Sequence, residues 1–123
     1  MSLVAVGTVA FDDILTPYSH AEKIVGGACT YISLAASHFV KPVRIVSVVG
    51  DDFPEETLGY LRSRGVNLEG LQIKAGEKSF FWAGRYNKDF NSRDTLDTQL
   101  NVLATFDPVL PESYRHAEYL MLG

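Results

Sequence analysis

Residues 3–9 form a nearly unbroken apolar run, and residues 43–49 form another, rich in valine. Runs without polar alternation are how strands covered on both faces of a parallel sheet read. Between them, residues 29–39 contain neither glycine nor proline. Ala28, Ile32, Ala35 and Phe39 recur at helical spacing, which predicts a strand, helix, strand unit. Pro42 stands before the second run and Gly50-Asp51-Asp52 after it, so that strand is bounded at both ends. A second helix is predicted over residues 55–64. Pro54 opens it, Glu55 and Glu56 suit its positive end, Arg62 and Arg64 suit the other, and Gly65 ends it.

Beyond Gly65 the pattern changes to short strands over residues 68–74, 79–86 and 95–103, and residues 18–25 read as one more. In 95–103, Leu96, Thr98, Leu100 and Val102 alternate with Thr95, Asp97, Gln99 and Asn101, which predicts a half-exposed strand. Pro108 and Pro111 open a short helical turn, and residues 118–123 carry an apolar strand, Tyr119-Leu120-Met121-Leu122. Three buried strands need cover on both faces, and two or three helices are too few to supply it. The pattern therefore reads as the first part of a larger α/β domain.

Composition narrows the classes. With 123 residues, 46% of them hydrophobic, the chain is one globular domain at most. Eleven basic against fifteen acidic residues give a net charge of -4, so the charge needed to track a nucleic-acid backbone is lacking. The single cysteine, Cys29, permits no internal disulfide and no thiolate cluster, which suits a reducing, cytoplasmic compartment. No basic leader precedes the first apolar run, and no apolar stretch approaches the roughly 20 residues of a membrane span. Neither nucleic acid nor membrane is an expected partner.

Candidate chemistry gathers near the first strand. Gly26-Gly27 precedes the first helix, where backbone N–H groups at its positive end can face a hydroxyl or an anion; the same pair also makes an ordinary tight turn. Asp12 stands past the first strand, at the edge where open α/β sheets bind ligands. A carboxylate there accepts hydrogen bonds from vicinal sugar hydroxyls, or is a solvated turn acid. Phe80, Phe81 and Trp82 alternate across a strand, so at least one ring faces any neighbouring ligand while the others pack. Arg85 on that strand is a candidate contact. The polar loop 87–94, with Lys88, Asp89, Arg93 and Asp94, reaches a substrate or is solvated.

These residues resemble the ribokinase-like (PfkB) carbohydrate kinase family. Its N-terminal signature is matched in register across Gly26, Gly27, Tyr31, Ser33, Val40 and Gly50, with Tyr31 standing where Asn is usual, Val40 where Gly or Ser is usual, and Ala28 in place of a frequent Lys. Val48-Val49-Gly50-Asp51-Asp52-Phe53, Leu58, Leu61 and Arg64-Gly65-Val66 are similar to a further family run, so the resemblance covers nearly the whole chain. It implies an α/β, ribokinase-like three-layer fold (its N-terminal part) with a small β-sheet lid built from residues 18–25, 80–86 and 95–103. It also implies ATP-dependent phosphorylation of a hydroxyl on a sugar or nucleoside, with Asp12, Gly26, Gly27, Tyr31, Arg85 and Trp82 as substrate-binding candidates. ATP and Mg2+ are the implied cofactors, and a homodimer formed through the lid is the implied assembly. The family's Gly-Ala-Gly-Asp motif, with its catalytic Asp and anion hole, occurs nowhere in the chain. On this reading residues 1–123 supply the acceptor-binding and lid portion, no catalytic residue lies among them, and the chain alone is inactive. The competing reading is a non-catalytic small-molecule-binding or dimerisation module of the same fold.

Other chemistries fail on spacing. Gly76-Glu77-Lys78-Ser79 has no glycine directly before its lysine and no buried strand ahead of it, and so makes no P-loop. His20, His38 and His116 are too scattered for a metal site, and no Gly-x-Gly-x-x-Gly follows the first strand for a dinucleotide. Cys29 in a first helical turn is a reactive thiol or a small buried residue, and the sequence favours the second.

Overall fold

Two four-stranded sheets divide the strands of the computed structural model, which describes residues 2–123. In chain order the elements are β1 (Leu3–Val6), β2 (Ala10–Leu15), β3 (His20–Gly26), α1 (Ala28–Ala36), β4 (Val43–Gly50), α2 (Glu55–Ser63), β5 (Val66–Lys74), β6 (Phe80–Tyr86), β7 (Arg93–Gln99) and β8 (Tyr119–Leu122). Short 3-10 turns span Asn101–Thr105 and, just after Pro111, Glu112–Tyr114.

The main sheet runs β5-β4-β1-β8 and is parallel throughout, with Leu3 opposite both Val43 and Tyr119. Both helices pack on one face, where Cys29 of α1 and Leu58 and Leu61 of α2 join Ala5, Ile45 and Val49 in the core. On the other face Val4 and Val46 lie beneath Tyr114. The Tyr114 hydroxyl accepts the Gly70 N–H at 3.0 Å and faces two acceptors on Asn67. A side chain at Gly70 would run into that ring and the Ile45 carbonyl, so glycine admits the phenol to the strand backbone. The second sheet runs β3-β2-β6-β7, with β2 parallel to β6 and the outer pairs antiparallel. This is the mixed α/β architecture that the resemblance implies, and the second sheet contains the segments expected to form a lid.

Several expectations are corrected. The first strand ends at Val6 rather than at residue 9. The chain leaves the main sheet at Gly7, and Val9 remains buried as it passes toward the second sheet, which is why the apolar run continues. Asp12 accordingly sits inside strand β2, not in a turn. Helix α1 ends at Ala36, and Phe39 beyond it is 89% exposed; of the residues at helical spacing Ile32 packs against the core, while Cys29, Thr30, Ser33 and Ser37 are buried. Small side chains let the helix approach the sheet closely enough for the Cys29 thiol to face the Ala5 carbonyl at 3.6 Å.

Strand β7 stops at Gln99, and all seven of its residues are exposed rather than half of them. Asn101 takes a left-handed φ of 49° and donates its side-chain amide to the Ser79 carbonyl, which turns the chain so that Val102 alone of the predicted apolar face is buried. Strand β8 lies at the edge of the main sheet and is exposed along its length.

Candidate acceptor cleft

The site grows out of strand register. Strands β2 and β6 run parallel with Ala10 opposite Phe80, Asp12 opposite Trp82 and Ile14 opposite Gly84. Alternation then puts Ala10, Asp12, Ile14, Phe80, Trp82 and Tyr86 on one face of the lid sheet. Thr8, Gly27, Ala28 and Tyr31, at the start of α1, form the facing wall of a cleft of about 420 Å³. The opposite lid face carries Phe11, Asp13 and Phe81 and lines a separate cavity of about 370 Å³ with Asp52 and Ser79. Phe11 stacks there on Phe53 at 5.2 Å, and Asp13 accepts the Lys23 N–H. Of the two adjacent acids, only Asp12 faces the cleft beside α1.

Asp12 is half-buried, and among the described residues no donor meets its carboxylate. Burial, reinforced by the negative charge of Asp13, raises its pKa above the ordinary aspartate value. Its carboxyl group rests over Gly26, where a methyl would come within 2.6 Å of Asp12 Cγ. Gly26 thus makes room for the acid. Gly27 serves conformation: its φ of 97° is one that a side chain disfavours, and the Thr8 carbonyl fills the space where a Cβ would stand.

Two of the N–H groups at the start of α1 are engaged within the chain rather than open to a ligand. The Ala28 N–H donates to Thr8 Oγ1 at 3.1 Å and the Cys29 N–H to the Thr8 carbonyl at 2.9 Å, so the first helical turn is capped from within. Tyr31 lies at the cleft and donates its hydroxyl to the Val25 carbonyl at 3.3 Å. Cys29 is fully buried, and burial pushes its thiol up to about 12.

Trp82 has a defined seat. Its indole lies against Gly84, where any side chain would overlap the ring, and its Nε1–H donates to Thr95 Oγ1 at 3.2 Å. The Arg93 guanidinium stands over the ring, 5.1 Å from its centre. The structure therefore brings Asp12, Gly26, Gly27, Tyr31 and Trp82 together and leaves Arg85 out. Arg85 is exposed and faces Asp94 at 3.9 Å. Arg93 takes the place in the cleft that the sequence reading gave to Arg85, because β7 pairs Arg93 with Tyr86, a cleft residue. Phe80 and Tyr86 could have been added from their even spacing with Trp82. Arg93 could not, because its position depends on how the hairpin closes. Asp89 is held by local turn hydrogen bonds led by the Asn91 N–H, which lower its pKa.

No family model matches the chain. It is 31% identical over 77 residues to the cytidine kinase of Thermococcus kodakarensis, covering 63% of this chain and 27% of that protein. Among solved structures it is similar to the ribokinase of Cryptococcus neoformans var. grubii in complex with ADP (17% identity, TM-score 0.75, 98% of this chain and 40% of that one). It is likewise similar to the nucleoside kinase of Methanocaldococcus jannaschii, an archaeal member of the ribokinase family (18%, 0.71, 98% and 44%). The nucleoside kinase of Burkholderia thailandensis in complex with inosine is a third (17%, 0.66, 80% and 36%). The chain thus spans about a quarter of the curated relative and less than half of each of these structures. In fold the chain is ribokinase-like, as the resemblance implied.

Proposed function

We propose that this chain is the acceptor-binding and lid portion of a kinase that transfers a phosphoryl group from ATP to a hydroxyl of a sugar or nucleoside. The observation that carries the reading is the half-buried Asp12 carboxylate, without a donor among the described residues and set between the lid sheet and the start of α1. Such a group gains most from a ligand that brings hydroxyl donors to it. Asp12 would accept the acceptor's hydroxyls, Gly26 and Gly27 would shape the floor, and Tyr31 and Trp82 would wall the cleft. These contacts hold and orient the acceptor. The kinase relatives and the ADP held by one similar structure support ATP as the donor.

Among the described residues no three carboxylate, imidazole or thiolate groups converge, and no transfer step is assigned to them. The charge-neutralising donors and the base that phosphoryl transfer needs belong, on this proposal, to a further portion of the protein. No helix among the described residues is long and apolar enough to cross a membrane. The proposal places the enzyme in the cytoplasm and pairs two copies through their lids, whose outer strand β7 is exposed along its whole length.

Calorimetric titration of the chain with ribose and with nucleosides tests the reading. Asp12→Asn should weaken the bound ligand by about 1–3 kcal/mol, the loss of a charge-assisted hydrogen bond. Affinity unchanged by Asp12→Asn for every ligand would remove the acid from the site. The 123-residue chain should phosphorylate nothing with magnesium-ATP, and turnover by it would overturn the proposed division of labour.

A further inference from the structure

We infer that the cleft selects an acceptor bearing a planar heteroaromatic base, a nucleoside rather than a free sugar, with Trp82 as the main specificity determinant. The inference deepens the proposed function and rests on its reading of Asp12 as the seat of the hydroxyls.

The cleft has two chemically different ends. Asp12 supplies a carboxylate acceptor, which suits a pair of hydroxyls. Beside it, Phe80, Trp82 and Tyr86 present a run of aromatic surface from the lid, with Tyr31 on the facing wall. Two polar atoms at this end are already engaged, the Trp82 Nε1–H with Thr95 and the Tyr31 hydroxyl with the Val25 carbonyl. A monosaccharide laid there would bury hydroxyls against rings with few partners, which costs free energy. A base presents a π-face to those rings and loses nothing by it.

The volume of about 420 Å³ lies in the range of sites that enclose drug-sized ligands. A base that stacks on Trp82 takes the place over the ring where the Arg93 guanidinium now stands, 5.1 Å from its centre. Gly84 and Thr95 hold the indole in that attitude, so the ring is prepared for stacking before a ligand arrives. Arg93 carries donors only, so it suits the carbonyl and ring-nitrogen acceptors at the rim of a base.

Trp82 is the only tryptophan of the chain, and its emission reports directly on this end of the cleft. The chain is titrated with cytidine, inosine and ribose, following Trp82 fluorescence and, for variants, heat of binding. Nucleosides should quench Trp82 and bind about tenfold more tightly than ribose. Trp82→Leu should cost the nucleosides about that factor and ribose far less, while Trp82→Phe, which keeps an aromatic face, should restore most of the preference. Ribose binding as tightly as the nucleosides, equal weakening of all ligands by Trp82→Leu, or no binding of either nucleoside would each overturn the inference. Asp12→Asn separates the two readings. Ribose binding that depends on Asp12 without gain from a base leaves the acceptor reading standing and this one refuted. Nucleoside binding that depends on Trp82 but not on Asp12 does the reverse.

Discussion

Gly26 and Gly27 are neighbours in sequence, and replacing each by alanine should have opposite consequences. At Gly26 the backbone lies in an ordinary strand conformation, and what a methyl meets is the Asp12 side chain, with Cγ at 2.6 Å. The end of a side chain can rotate away, at a cost of about 1 kcal/mol for an off-rotamer position. At Gly27 the φ of 97° is itself unfavourable for alanine, and the methyl meets backbone, the Thr8 carbonyl carbon at 2.8 Å and the Ala10 nitrogen at 3.0 Å. That carbonyl also holds the Cys29 N–H at 2.9 Å, so it cannot retreat without uncapping α1. Conformational strain and the weakened cap together cost about 3 kcal/mol.

At about 4 °C per kcal/mol for a chain of this size, Gly26→Ala should lower the melting temperature by about 4 °C and Gly27→Ala by about 12 °C. Carboxyl-detected NMR supplies the functional half of the contrast. In Gly26→Ala the displaced Asp12 should titrate lower, toward the ordinary aspartate value, and acceptor binding should fall as it does for Asp12→Asn. Equal melting losses in the two variants, or an Asp12 titration unmoved in Gly26→Ala, would refute the claim that Gly26 exists to seat the acid.

Three other outcomes follow from the same structure. Because the Asp12 pKa is raised by burial and by Asp13, its neutral form is favoured in the folded chain; that stabilisation is present below the unfolded carboxyl pKa and is lost as pH rises through the folded one. Asp12→Asn should therefore melt above the native chain at pH 7, with the gap closing as pH falls below the carboxylate range, as parallel melts would show. Tyr114→Phe leaves the buried Gly70 N–H without its acceptor and removes the bond to Asn67, which should cost about 2 kcal/mol in denaturant titrations. Cys29, buried and with its thiol pushed up to about 12, should react with iodoacetamide at pH 8 about a hundredfold or more slower in the folded chain than in urea.

Strand β4 and helix α2 were legible residue by residue because their signals are local. An apolar run closed by Gly50-Asp51-Asp52, and a helix opened at Pro54 and stopped before Gly65, need no knowledge of what packs on them. The even spacing of Phe80, Trp82 and Tyr86 was equally readable, since a strand sends alternate side chains to one face. Periodicity says which residues share a face and leaves open what that face meets. On α1 the close approach of helix to sheet buried Cys29 and Ser33, while Phe39, past the end of the helix, stayed outside. Along 3–9, the departure of the chain at Gly7 into a second sheet turned one predicted strand into a short strand and a buried crossing.

The cleft depends still more on distant pairings. Asp12 meets Trp82 because β2 and β6, separated by most of the chain, align in one parallel register. Arg93 reaches the cleft and Arg85 does not because the β6–β7 hairpin closes with Arg93 opposite Tyr86. A shift of β2 by one residue against β6 would turn its side chains to the other face and send Asp13 toward α1 in place of Asp12. Residue types and their spacing along each strand follow from the order of the chain alone. Only the tertiary register, fixed by contacts between segments far apart in the chain, decided which of them share the cleft.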